Sequence, residues 1–158
     1  MSDNRWLITI VDRKPQGYIP LRFPALYWPF PVSGTQVRYL YDAHDIWRFT
    51  LYWTLISIVG VHMVAAAYAM AMQVHQLRRL KMKGRKVTGT WWVIGAIPVV
   101  YLIVGGIEAL IAGNVVGGLI GGVYTSGYFR MSTWIPFSWG LINAGVLILS
   151  SFAIQGGL

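Results

Sequence analysis

Three polar side chains, those of His62, Glu108 and Asn143, interrupt long apolar stretches of this sequence and are its best candidates for chemistry. An imidazole beside a carboxyl group can hold or pass a proton, and an amide can donate and accept hydrogen bonds. Unpaired groups of this kind are costly inside a membrane, so we expect the three side chains to contact one another. Two interpretations stay open: a structural contact that fixes helix pairing, or a polar groove that a lipid head group or a proton enters.

The sequence lacks the motifs that would turn these side chains into a catalytic centre. It contains no G-x-S-x-G or H-E-x-x-H pattern, and it has no cysteine to serve as a nucleophile or a metal ligand. A single polar pair also lacks a positioned nucleophile and a second orienting group. We therefore predict a protein that is not an enzyme and that binds no cofactor and no metal.

The apolar stretches are long enough to cross a bilayer. Of the 158 residues, 56% are hydrophobic, and the mean hydropathy is +0.54. A helix needs roughly 20 apolar residues to span about 30 Å of hydrocarbon. We predict an all-α membrane protein with transmembrane helices at about 46–72, 98–125 and 135–154. They form a helical domain, 45–158, preceded by an amino-terminal arm, 1–44.

The stretch from Trp91 to Phe129 decides between three transmembrane helices and four, because it is long for one upright helix and short for two. Small residues recur at every fourth position, which places a smooth ridge on one helix face. This ridge consists of Gly105, Ala109, Gly113, Gly117 and Gly121. We predict one helix that begins near Pro98, with four spans as the alternative. The ridge packs within this chain or, as the alternative, against another subunit.

A basic run separates the first two apolar stretches. The predicted loop, 74–89, contains no acidic residue, and short loops rich in lysine and arginine stay on the cytosolic side of a membrane. Its cationic side chains are Arg78, Arg79, Lys81, Lys83, Arg85 and Lys86. We predict a cytosolic loop and a lumenal amino terminus. Contact with anionic lipid head groups is the more specific interpretation of the same cluster.

His62 and Glu108 have matching depths in the predicted topology. Each lies roughly 15 Å from the cytosolic end of its predicted helix, at 1.5 Å per residue. The two side chains can therefore meet, and Asn143, midway along the last helix, can join them.

Prolines alternate with aromatic residues in the arm. Repeated prolines prevent a continuous helix, and amphipathic aromatic side chains favour the level of the lipid head groups. We predict an extended arm that lies on the membrane or on a partner protein. The contact residues of that arm are Tyr27, Trp28 and Phe30.

Several short motifs resemble the transmembrane-protein-170 family of eukaryotes, and in particular its fungal branch. They are DIWRFTLYW at 45–53, the His62 that follows SIVGV, KGRK at the end of the basic run, GGVY at 121–124 and WIPF at 134–137. The resemblance covers roughly residues 44–154. It implies a small three-span protein of the endoplasmic reticulum and nuclear envelope that is implicated in the organisation of membrane sheets. Similar proteins accompany bridge-like lipid-transfer proteins.

These observations favour a non-enzymatic membrane protein that acts as an accessory subunit of a larger complex, such as a bridge-like lipid-transfer assembly. Its expected partners are membrane lipids and a protein, but not nucleic acid. The alternative is a lipid-handling enzyme or transporter that uses an intramembrane site at His62 and Glu108.

Overall fold

Three long helices and two short strands form the part of the chain that the computed structural model describes, residues 18–27, 38–84 and 90–156. Their order is β1 (Tyr39–Leu40), α1 (Ala43–Met82), α2 (Thr90–Ser126), β2 (Met131–Ser132) and α3 (Trp134–Gly156). Each helix is long and apolar enough to cross a membrane. The prediction of an all-α membrane protein with three transmembrane helices is confirmed.

The first helix, α1, continues well beyond its predicted end at residue 72. Arg78, Arg79 and Lys81 therefore lie in its last turns and not in a loop. The added segment contains no glycine or proline, its residues are mostly good helix formers, and cations near a helix C-terminus interact favourably with the helix dipole. The helix ends at Met82, with Lys83 as its C-cap, and Gly84 follows at a φ of 72°, which glycine adopts without strain.

The second helix, α2, begins at Thr90 and not near Pro98. The segment 91–97 is also helical, and Pro98 lies inside the helix. A proline removes one backbone hydrogen bond, a loss that transmembrane helices tolerate. Because α2 runs without a break through Gly113, the four-span alternative is excluded.

The helix α1 occupies the centre, since α2 and α3 both pack on it and contact each other little. Along α2 the contacts run in the opposite direction to α1, because Gly105 lies against His62 whereas Gly117 lies against Trp47. These two pairs fix an antiparallel arrangement. The last turn of α1 and the first turn of α2 thus lie at one end of the bundle, which we call the basic end.

The third helix runs parallel to α1. Gly140 lies against Trp53, and one turn further along Ala144 shares a buried cluster with Ile58. From Ala144 to its last residue α3 rises roughly 18 Å, whereas α1 rises roughly 36 Å from Ile58 to Met82. The basic end of the α1 and α2 pair therefore projects beyond α3.

The opposite end of the bundle, which we call the strand end, contains the largest buried side chains. Strands β1 and β2 pair antiparallel there, with Tyr39 opposite Ser132 and Leu40 opposite Met131. Beneath them lies a core of fully or nearly fully buried residues, which are Ala25, Leu40, Ile46, Phe49 and Met131. The core ties the strands to the first turns of α1.

The described part of the arm, residues 18–27, packs on this strand end. Thr133 Oγ1 donates a hydrogen bond of 3.1 Å to the Ala25 carbonyl oxygen, and Trp134 Nε1 donates one of 3.0 Å to the Tyr27 carbonyl oxygen. The Tyr27 hydroxyl lies 3.1 Å from Ser132 Oγ. Tyr27, predicted to contact a partner or the interface, is thus engaged by its own chain. Trp28 and Phe30 lie outside the described residues.

Candidate functional site

The ridge of small residues on α2 lies against α1. A Cβ atom added to Gly113 would approach Leu51 Cδ1 to 2.8 Å, and one added to Gly117 would approach the Trp47 carbonyl oxygen to 3.0 Å. The same close contact continues at Gly105, Ala109 and Gly121. Only small side chains allow two helix backbones to come this near. The five ridge residues thus serve packing inside the chain.

The His62 side chain fills the α1–α2 contact at Gly105. A Cβ atom at position 105 would stand 2.7 Å from His62 Cγ, so the imidazole lies directly on the α2 backbone. The Tyr101 ring lies edge-on to it, with the ring centroids 6.2 Å apart. The His62 side chain is 13% exposed. The imidazole therefore contacts α2 at both Gly105 and Tyr101.

Glu108 reaches the same imidazole from the next turn of α2. Its Oε2 atom lies 3.3 Å from His62 Nε2, within the range of an ion pair. This Oε2 atom is buried yet accepts no hydrogen bond, because the direction of approach does not suit one. The Glu108 side chain as a whole is 43% exposed. The structure thus brings the two predicted residues together, with an enclosed histidine and a half-open acid.

The hydrogen-bond partners of His62 indicate where its protons lie. Nδ1 is 3.0 Å from the Ile58 carbonyl oxygen, which can only accept, so Nδ1 carries a proton. Nε2 is then the ring nitrogen that faces the Glu108 carboxyl group, at 3.3 Å from Oε2.

Asn143 does not join this pair. Its Nδ2 atom donates a hydrogen bond of 3.1 Å to Thr54 Oγ1, two turns of α1 away from His62. Asn114, which was not predicted as a site residue, accepts a 3.0 Å hydrogen bond from Trp47 Nε1. Polar contacts therefore link α1 to its neighbours at three levels, twice to α2 and once to α3.

Sequence reasoning missed Gly140, which makes a close contact between α3 and α1. A Cβ atom there would lie 2.7 Å from the Trp53 carbonyl carbon. Ala144, four residues later, is buried against the same helix. Two small residues four positions apart are the usual sign of close helix packing in membranes. That spacing is readable in the sequence and could have revealed the contact.

Two acids, Asp42 and Asp45, lie at the start of α1. Asp42 occupies the N-cap position, but its side chain makes no capping hydrogen bond. Asp45 is 4% exposed, and its Oδ1 atom accepts a 3.1 Å hydrogen bond from Arg48 Nη2. Burial raises the pKa of the nearby Tyr18 hydroxyl, and the charges of Asp45 and Asp42 act in the same direction. The Tyr18 phenol is therefore neutral at physiological pH.

The cationic side chains predicted to contact lipids lie at the basic end. Arg78, Arg79, Lys81 and Lys83 are exposed on the last turns of α1 and on its C-cap residue. Arg85 and Lys86 lie outside the described residues. The basic cluster is thus separated from the His62–Glu108 pair by four turns of helix.

Comparison with known proteins assigns the chain to a family. The profile of the transmembrane protein 170A/B-like family matches residues 39–158. The chain belongs to this family. It is also 35% identical over 144 residues to the uncharacterized protein YPR153W of Saccharomyces cerevisiae (strain ATCC 204508 / S288c), an alignment that covers 91% of this chain and 92% of the yeast protein. No solved structure matches the chain.

The transmembrane protein 170A/B-like match includes every residue of the polar contacts and of the ridge. It begins at Tyr39, the first residue of β1, and continues through all three helices. Residues 18–27 of the arm precede it. As a transmembrane protein 170A/B-like protein with three apolar helices, the chain is a multi-pass membrane protein.

Proposed function

We propose that this protein is a non-catalytic membrane subunit that helps to organise the endoplasmic reticulum and nuclear envelope as an accessory part of a larger lipid-transfer assembly. The observation that carries the non-catalytic role is the His62–Glu108 contact. Nδ1 of the imidazole is bonded to its own helix, and Nε2 faces the acid. This arrangement leaves neither ring nitrogen for a substrate, and it fixes the register of α1 against α2.

The other polar contacts inside the helices support the same interpretation. Trp47 is bonded to Asn114, and Thr54 is bonded to Asn143. Each contact joins two different helices and uses the polar atoms that would otherwise be exposed to hydrocarbon. These polar side chains of the spans thus act as links between helices.

The assembly and the location rest on the resemblance to the transmembrane-protein-170 family. The resemblance implies that this chain accompanies a bridge-like lipid-transfer protein, and the three apolar helices agree with the three-span arrangement that it also implies. A broad apolar surface of α2 remains exposed outside its contact with α1, including Ile111, Val115 and Leu119. Such a surface suits contact with lipid or with the membrane segment of a larger protein.

The experiment that tests the proposal is purification of the tagged full-length protein from membranes in a mild detergent, followed by identification of the proteins bound to it. We expect a very large lipid-transfer chain in stoichiometric amount. As a control, the same purification in a harsh detergent should release that chain. A protein that purifies alone and intact in the mild detergent contradicts the accessory role.

One observation favours a second candidate function, a lipid-handling enzyme or transporter. The Glu108 side chain is 43% exposed, and its Oε2 atom accepts no hydrogen bond. An acid that is partly open to the bilayer could receive a proton or a polar lipid group. The two candidates differ in the effect of replacing both residues of the pair, because a structural contact is dispensable once both polar groups are gone.

A further inference from the structure

An open groove lies on α2 at the basic end of the bundle. Trp91 and Trp92 are 70% and 87% exposed there. The groove has a volume of about 490 Å³ and is lined by Trp91, Trp92, Gly95, Ala96, Val99 and Val100. A Cβ atom added to Gly95 would meet no atom within 4 Å, so the groove is unfilled at this position. Its lining is almost wholly apolar.

Cationic side chains lie at nearly the same height on the neighbouring helix. His62 lies against Gly105, and from this contact α1 rises roughly 24 Å to Arg78, whereas α2 rises roughly 21 Å to Trp91. Arg78 and Arg79 are exposed. The two arginines and the two tryptophans thus lie within about one helical turn of each other along the bundle axis.

Among the residues that the structure describes, the charge at this end is of one sign. The sequence has no acidic residue between Asp45 and Glu108, and both of these lie far from the basic end. Tryptophan side chains favour the level of the lipid head groups, and cations at the cytosolic surface attract anionic lipids. An apolar groove at the height of a cationic cluster on the neighbouring helix therefore matches a molecule with a hydrocarbon chain and an anionic head.

We propose that the groove and the arginines form a binding site for an anionic phospholipid. One acyl chain lies over Gly95 between the indole rings, and the phosphate head group contacts Arg78 and Arg79. The ligand class is a phospholipid with a net negative head group, such as phosphatidylserine. This site goes beyond the proposed accessory role, since it binds lipid whether or not a protein partner is present.

Fluorescence quenching in nanodiscs tests the site directly. The full-length protein is placed in phosphatidylcholine that contains a minor fraction of phosphatidylserine, with bromine on the acyl chains of one lipid or of the other. The protein has eight tryptophans, so the fluorescence of Trp91 and Trp92 is obtained as the difference between the wild type and a variant with both Trp91→Phe and Trp92→Phe. We expect brominated phosphatidylserine to quench the pair more strongly than its share of the lipid predicts. Quenching in proportion to that share would mean that the two tryptophans contact bulk lipid, as residues of an ordinary aromatic belt do. That result overturns the proposal.

Charge variants test the head-group contact. Arg78→Gln with Arg79→Gln should lower the preference for phosphatidylserine by about fivefold for each charge removed. The control, Arg22→Gln with Arg38→Gln, removes the same charge from exposed residues at the strand end and should leave the preference unchanged. Equal loss in both pairs would mean that only the net charge matters, which contradicts a local site.

A filled groove tests the acyl-chain contact. Gly95→Leu occupies the open space without displacing any neighbour, so the protein should fold normally and lose most of the selective quenching. Gly118→Leu is the matched control, because position 118 is equally open but lies near the other end of α2. If the arginine variants do not fold, this pair still decides the question. If the Gly95→Leu variant keeps the wild-type selectivity of quenching by phosphatidylserine, the groove does not bind the acyl chain and the proposal is overturned.

Discussion

Gly140 of α3 lies directly on the backbone of Trp53 of α1, so that an added Cβ atom would stand 2.7 Å from the Trp53 carbonyl carbon and 2.8 Å from its oxygen. The indole ring of the same residue packs between Phe23 of the arm and Phe137 of α3, with ring centroids 5.1 and 4.8 Å away. Trp53 therefore connects α1 to α3 and to the arm at once. The position of α3 depends on this contact.

Replacing Gly140 with leucine should separate α3 from α1. The new side chain meets backbone atoms, which cannot rotate away, so we expect a loss of about 3 kcal/mol of stability, at the upper end of the usual range for overpacking. The measurement is the fraction of protein that stays monodisperse in detergent after heating. Gly145→Leu is the control, since position 145 has open space and should tolerate the change. Equal heat resistance of the two variants contradicts the observed packing of α3.

Gly117 and Gly118 are neighbours on α2 with opposite surroundings. A Cβ atom at 117 would lie 3.0 Å from the Trp47 carbonyl oxygen, whereas one at 118 would meet no atom within 4 Å. Gly117→Leu should therefore lower protein abundance in membranes severalfold, while Gly118→Leu should leave it close to the wild-type level. Quantitative blotting of the two variants at equal transcript levels measures this. A greater loss for Gly118→Leu would show that the other face of α2 is the packed one.

The Thr133 side chain should hold the arm in place. Thr133→Val removes the hydrogen bond to the Ala25 carbonyl oxygen and leaves that oxygen unsatisfied, at a cost of about 1 kcal/mol. Opening of the arm should then be about fivefold more frequent, and trypsin should cleave after the exposed Arg22 faster by the same factor. Ser138→Ala, which removes a hydrogen bond made only within α3, is the control. An unchanged rate of cleavage means that Thr133 does not secure the arm.

The three alternating helices predict which sites face the same side of the membrane. Arg38 lies at the strand end, where its carbonyl oxygen accepts a hydrogen bond from the Thr133 amide, and Lys83 lies at the basic end. With the basic end in the cytosol, cysteines introduced at Lys83 and at Leu158 should be labelled by an impermeant reagent from the cytosol. One introduced at Arg38 should be protected until the membrane is opened. Cytosolic labelling at Arg38 with protection at Lys83 would reverse the orientation.

The sequence was sufficient to predict the number of helices and the meeting of His62 with Glu108. The length of each apolar stretch sets the number of helices. The His62–Glu108 contact follows from the similar depth of the two residues in the membrane and from the high cost of leaving a polar group unpaired there. The small-residue spacing located the ridge but did not identify its neighbour, because the same pattern serves packing inside a chain or between chains. Only the contacts of Gly113 and Gly117 with α1 distinguish these possibilities.

Other features depended on contacts between residues far apart in the chain. Asn143 is bonded to Thr54 because α3 crosses α1 nearer the strand end than the depth of His62, and no local pattern reveals that offset. The role of Tyr27 was also hidden, since its partners Ser132 and Trp134 follow more than a hundred residues later. Helix ends were underestimated because a basic run was assigned to a loop, although Arg78 and Lys81 are compatible with helix.

The measurement that tests the central claim most directly compares abundance and function in variants of His62 and Glu108. Removing one partner leaves the other poorly satisfied in hydrocarbon, whereas replacing both removes the desolvation cost together with the contact. His62→Leu and Glu108→Leu should each lower the protein level, and the double variant should restore both the level and the rescue of membrane morphology in cells that lack the protein. A double variant that is abundant and partner-bound but fails to rescue membrane morphology would contradict the structural role and favour chemistry at this pair.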